Sequence, residues 1–103
     1  MADGAEFVLE GNRLVVRGEL GPEDEKRYSE KLFELLKTGE ARMELDLTGL
    51  SEISSAYVGS TCLLALVANQ RRRKVCVVAN PAIGRVLALA GFDQIAEVKI
   101  VSG

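Results

Sequence analysis

Residues 43–79 constrain this chain more than any other stretch. Met43–Leu47 (MELDL) alternates apolar and acidic residues at strand length, and it reads as a central strand beginning near Arg42. Ala56–Gln70 is apolar over a length that suits a helix, and Lys74–Ala79 (KVCVVA) is almost continuously apolar. The second run predicts a strand covered on both faces in a mostly parallel sheet. A strand, a helix and a second strand in that order make a crossover unit, and such crossovers are right-handed. The class is therefore α/β, with helices packed on a sheet.

The flanks extend the same alternation. Met1–Ala5 is a small, polar lead-in expected to fray. Glu6–Glu10 and Arg13–Leu20 are strand candidates on either side of a Gly11-Asn12 turn, which makes a hairpin. Gly21-Pro22 breaks the second strand and opens a helix over Glu23–Lys37. Its acidic first turn suits the helix dipole, and Tyr28, Leu32, Phe33, Leu35 and Leu36 form its apolar stripe. Glu30, Lys31, Glu34 and Lys37 turn to water, and Thr38-Gly39 ends the helix. Asn80-Pro81 starts another helix, with Asn80 as cap and Ile83, Val86, Leu87 and Leu89-Ala90 as its buried stripe. Gly91 closes it, and a turn over Phe92–Ala96 leads to a last strand, Glu97–Val101. The predicted order is β-β-α-β-α-β-α-β, with residues 1–103 as a single domain.

Composition excludes several classes of function. A net charge of −2 and a pI near 5.2 offer no field for nucleic acid or acidic lipid. Arg71–Lys74 is the one basic cluster, and it reads as a solvated helix end. No histidine is present, which removes the commonest general base and metal ligand. Cys62 and Cys76 lie within apolar runs and read as small buried hydrophobes, not as a disulfide framework. The N-terminus lacks the pattern of a signal peptide, and the longest apolar run, Cys62–Ala68, is too short to span a bilayer. A soluble, cytoplasmic protein without cofactor or metal is the expectation.

Chemistry concentrates between the central strand and the helix after it. The expected loop, Thr48–Ser55, holds four hydroxyl residues: Thr48, Ser51, Ser54 and Ser55. Serines at a helix start commonly accept a hydrogen bond from a first-turn N–H. The same place suits a phosphate, because free N–H groups and the positive end of the dipole converge there. Asp46, near the end of the strand, is placed either as a site residue or as an acceptor for loop N–H groups. No glycine pattern of a nucleotide-binding loop follows any strand. No base accompanies the serines, so catalysis by Asp46 with Ser54 or Ser55 is the weakest alternative.

DLTGLSEISSAYVGSTCLLAL resembles the signature region of STAS domains, the family of anti-sigma factor antagonists. Asp46-Leu47-Thr48-Gly49 matches the first part of that signature, and Ile53, Ser55, Val58 and Gly59 fit the second. Arg17-Gly18-Glu19-Leu20 and Asn80–Phe92 are similar to further segments of the family. The resemblance implies a mixed sheet with helices and regulation by binding. In such partner-switching systems the antagonist docks on a serine-kinase anti-sigma factor or related switch kinase. The kinase then phosphorylates a hydroxyl at the helix start, and a phosphatase resets the switch. Asp46, Thr48, Ser54, Ser55, Ala56, Tyr57 and Gly59 are the expected partner-binding surface.

The sequence departs from the pattern at the acceptor. Aligned on Gly59, the family's aspartate is Ser54, its first serine is Ser55, its phosphorylated residue is Ala56 and the next glycine is Tyr57. Alanine carries no hydroxyl, so either Ser55, ahead of Ser54, has taken over the role, or the domain is not switched by phosphorylation. Tyr57 is either an exposed aromatic anchor for a partner or a ring lying on the domain. The alternative function is a carrier of a small ligand or lipid, or a scaffold in a sensory complex.

Overall fold

The computed structural model describes residues 4–102; Met1–Asp3 of the expected lead-in and Gly103 lie outside the described residues. The hairpin forms as expected from β1 (Glu6–Glu10) and β2 (Arg13–Gly18), paired antiparallel with Glu6 opposite Arg17. β3 (Arg42–Leu50), β4 (Lys74–Ala79) and β5 (Glu97–Ile100) follow in parallel, giving a five-stranded sheet in the order β1-β2-β3-β4-β5. The helices between them are α1 (Glu25–Leu36), α2 (Ser55–Gln70) and α3 (Pro81–Leu89). The order of elements is the expected one.

Every crossover moves the chain one strand further in the same direction, so right-handed connections put all the helices on one face. Burial agrees. Leu14, Val16, Met43, Leu45, Leu47, Val77 and Ala79 on that face are fully buried, in one core with Tyr28, Leu35, Ile83, Leu87 and Phe92. The other face is bare of helices and carries Arg13, Arg17, Glu44, Asp46 and Lys99. This corrects the expectation that KVCVVA is covered twice. Cys76 on the bare face is buried by charged side chains instead: Arg42 and Glu97, from the strands on either side of β4, meet at 2.7 Å.

Other departures have local causes. β3 continues to Leu50 rather than ending at Leu47, because a register shift against β2 lets Gly49 pair with Arg17 and Leu50 with Gly18. Gly49 is needed there, since a Cβ would lie 2.6 Å from the Cβ of Arg17. β2 stops at Gly18, whose φ of +97° turns the chain before Glu19-Leu20. The expected helix from Glu23 divides into a 3₁₀ turn (Pro22–Asp24) and α1, with Asp24 folded back to accept the Gly21 N–H at 2.9 Å. Phe33 is 54% exposed, off the stripe it was assigned to.

On α3 only Ile83, Gly84 and Leu87 are buried, whereas Val86, Leu89 and Ala90 face solvent. The solvent side of that helix carries Arg85 but is otherwise apolar, so Val86 and Leu89 are not marked as outward by composition. Arg73 leaves the solvated cluster: its Nε donates to the Glu40 carbonyl at 3.0 Å and its Nη2 to the Leu36 carbonyl at 2.5 Å, tying down the end of α1. Leu45→Ala should lower the unfolding free energy in urea by about 3 kcal/mol. Phe33→Ala should cost less than about 1 kcal/mol, because its ring lies outside the core.

Candidate functional site

β3 ends at the buried Leu50, and Ser51–Ser54 lead into α2 over the buried Ile53. Asn80, at the end of the neighbouring β4, holds this turn. Its Nδ2 donates to the carbonyls of Thr48 (3.1 Å) and Leu50 (2.9 Å), while its Oδ1 caps α3 by accepting from the Ile83 N–H (2.9 Å). The cap was legible in the Asn-Pro pair; the two bonds to β3 join segments far apart in sequence.

Asp46 makes the contacts expected of the structural alternative. It is buried on the bare face, where Oδ1 accepts from the Thr48 N–H (3.0 Å) and hydroxyl (2.7 Å). Its Oδ2 pairs with Arg13 Nη2 at 2.5 Å. Burial alone would raise the pKa of this carboxyl, but the two bonds from Thr48 and the Arg13 guanidinium outweigh it and hold the pKa below the ordinary value.

Ser54 and Ser55 are both exposed at the start of α2. Ser54 is the N-cap residue with an extended backbone, and its carbonyl accepts the Val58 N–H at 3.0 Å. Its hydroxyl makes no capping bond, contrary to the usual role of a helix-start serine. The N–H groups of Ser55, Ala56 and Tyr57 precede the first intrahelical bond, and no acidic side chain occupies this first turn. Free hydroxyls, free N–H groups and the positive end of the dipole thus share one exposed place.

Tyr57 does not extend this surface. The reading as an exposed anchor is corrected: the ring is buried, stacked edge-on against Tyr28 with centroids 5.0 Å apart, and its hydroxyl donates to the Gly21 carbonyl. Burial and the nearby Asp24, Glu25 and Glu23 raise its pKa. Thr61 donates to the Tyr57 carbonyl (2.8 Å), so its oxygen is left to accept from the Tyr28 hydroxyl (2.6 Å). Asp46 and Tyr57 are therefore internal, Thr48 is half-buried, and Ser54, Ser55, Ala56 and Gly59 stand at the surface.

The exposed line continues along α2 through Leu63 (62% exposed) and Leu66 (47%). Beside it runs a groove of about 300 Å³ between α1 and α2, with Leu32, Phe33, Leu36 and Val67 among its walls. Leu63, Leu66 and Phe33 were not singled out from the sequence as surface residues. Their signal was a helix with apolar residues on its solvent side as well as its core side. Among the described residues, no cluster of histidine, cysteine or acidic side chains could hold a metal ion, and no helix is long and apolar enough to cross a membrane.

A family profile described as Mlab, STAS domain matches residues 5–101. No curated protein sequence matches the chain. The crystal structure of a candidate anti-sigma factor antagonist from Thermotoga maritima superposes with a TM-score of 0.72 at 19% identity, over 92% of this chain and 85% of that one. An NMR structure of the same protein gives the same TM-score and identity, over 92% of this chain and 79% of that one. A chain in the crystal structure of the diguanylate cyclase SiaD with its activator SiaC, from Pseudomonas aeruginosa, gives 0.63 at 19% identity, over 99% of this chain and 96% of that one. At such identities these are likenesses of fold.

Asn80→Ala should destabilise the protein by about 2 kcal/mol or more in urea, since one cap and two partly buried carbonyl partners are lost. Asn80→Asp keeps the cap but sets a carboxylate oxygen against the two carbonyls, so near neutral pH it should not recover the stability that Ala loses. Because the folded-state pKa of Asp46 is depressed, its ionisation stabilises the fold above the unfolded pKa of about 3.9, and this is lost as pH falls through the folded value. The stability advantage of wild type over Asp46→Asn should therefore be full near neutral pH and shrink on acidification below about pH 4. Urea titrations at stepped pH read both effects.

Proposed function

The chain belongs to the STAS-domain family, and from that premise we propose that it is a protein-interaction module of the anti-sigma-factor-antagonist kind, without catalysis of its own. Its partner is a serine-kinase anti-sigma factor or related switch kinase, with a phosphatase resetting the pair in the cytoplasm. α2 carries this reading. Two exposed serines head a helix whose outer side continues apolar through Leu63 and Leu66, flanked by Phe33. Soluble proteins rarely leave such a line uncovered without a partner for it. Thr48, Ser54, Ser55, Ala56 and Gly59 form the upper part of the docking face, while Asp46 and Tyr57 fix its shape from inside.

Ser55, ahead of Ser54, is the phosphoacceptor. As the first residue of α2 it holds its hydroxyl where a phosphate meets free N–H groups and the dipole, so the modified domain stays folded. The same phosphate places nearly two negative charges at the top of an apolar docking face and opposes the complex. Ala56, at the family's usual acceptor position, takes no part in the transfer. A second reading, a small apolar ligand or lipid held without phosphorylation, is favoured by the apolar α1–α2 groove. Native mass spectrometry of the purified protein separates the two through copurified ligand.

Titration calorimetry against switch kinases of the same genome is the test. Binding by one of them is expected, and binding by none would remove the main reading. Leu63→Glu should weaken that binding at least about tenfold while leaving the melting curve near wild type, because this side chain is exposed. Ser55→Ala should abolish labelling by the cognate kinase, and intact-mass analysis with and without phosphatase reads it.

A further inference from the structure

The two edges of the sheet differ in a way that concerns a second copy of this chain. β5 is an outer strand, and among the described residues no strand pairs with its far side. Val101 donates its N–H inward to Ala79 at 2.8 Å. Backbone groups alternate in direction along a strand, so Val98 and Ile100 present their N–H and C=O groups outward. Short length and charge discourage such an edge from pairing at random, and β5 has four residues with Glu97 and Lys99 among them, so only a strand that answers those charges fits it.

Side-chain order decides which strand fits. In an antiparallel pair of β5 with β5 of a second copy, centred on Val98, Glu97, which Arg42 of its own chain already contacts, lies opposite Lys99 and Lys99 opposite Glu97, both on the bare face. Opposite charges facing across strands stabilise such a pair. On the helix face the same register sets Val98 against Val98 and the half-exposed Ile100 against Ala96, beside a mostly apolar groove that Gly84 and Ala88 line together with Arg85 and Asp93. The other edge behaves oppositely. Antiparallel self-pairing of β1 centred on Val8 sets Glu6 against Glu10, like charges at both ends.

We propose that this chain forms a two-fold dimer through its β5 edges, joining two sheets into one of ten strands. Val98 of each copy exchanges two backbone hydrogen bonds with Val98 of the other, flanked by two Glu97–Lys99 pairs. The axis runs perpendicular to the sheet, so the helices of both copies lie on the same side. This surface is separate from the face of α2.

Sedimentation equilibrium over a wide concentration range tests it. Wild type should show a monomer–dimer equilibrium. Lys99→Glu and Glu97→Lys should each weaken self-association at least about tenfold, since each sets like charges opposite one another at both ends of the pairing. An equimolar mixture of the two variants should dimerise again, because one copy then presents two acidic side chains at these positions and the other copy two basic ones. Circular dichroism should show both variants folded, as the altered side chains are exposed and Glu97→Lys gives up only a surface pair with Arg42. A wild type that stays monomeric, variants that associate as well as wild type, or a mixture that does not recover the dimer would overturn the proposal. So would a ladder of larger species, which head-to-tail pairing of β1 with β5 would give.

Discussion

One-sided burial of β3 is the constraint on which the remaining structure depends. Met43, Leu45 and Leu47 point into the helices and are fully buried, so Glu44, Asp46 and Thr48 point the other way. No second layer of helices receives them. Asp46 is nevertheless buried, and it is stable there because Arg13 and Thr48 occupy both of its oxygens. The polar row of β3 thereby stitches β2 to the end of the strand, and Asn80 stitches β4 to the same end. The turn into α2 is fixed from both neighbours before any residue of the turn itself contributes.

The start of α2 is fixed from the helix side by a second network. The Tyr57 hydroxyl reaches the Gly21 carbonyl, Gly21 donates its N–H to Asp24, and Tyr28 and Thr61 link the two helices behind the ring. Both ends of the Ser51–Ser54 turn are therefore anchored, by the half-buried Asn80 and the buried Tyr57, and its hydroxyl groups are spared from that work. Ser54 and Ser55 stand free because Asn80, Ile53 and Tyr57 hold the backbone for them. A large aromatic at position 57, where the family is expected to carry glycine, is accommodated by turning inward, at no cost to the exposed surface.

Much of this was legible in the residues. Alternation of strands and helices, the Gly11-Asn12 turn, the Asn80 cap and the Gly39 and Gly91 helix ends are local signals, and each depends on only a few neighbouring residues. What escaped was set by distant partners. Thr48-Gly49 has the composition of a loop, yet a register shift against Arg17 keeps it in the sheet. KVCVVA is apolar enough for two covered faces, yet an Arg42–Glu97 bridge rather than a helix lies over one of them. For α2, uncharged and without a distinct polar side, burial follows from where the neighbouring elements sit, and only the three-dimensional arrangement separates the core side from the outward side.

That excess of apolar residues bears on how the surfaces are divided. The outward line of α2 and the outer edge of β5 are two places, among the described residues, where the fold leaves favourable contacts unmade. They lie on different elements, so occupying one does not consume the other. Away from the β5 edge, the bare face of the sheet has charges paired within the chain, as in Arg13–Asp46 and Arg17–Glu6, and gains little from a partner. With β5 paired about an axis perpendicular to the sheet, both α2 faces look to the same side. A dimeric partner would then meet two docking faces at once, and the second contact would form at the high effective concentration set by the first.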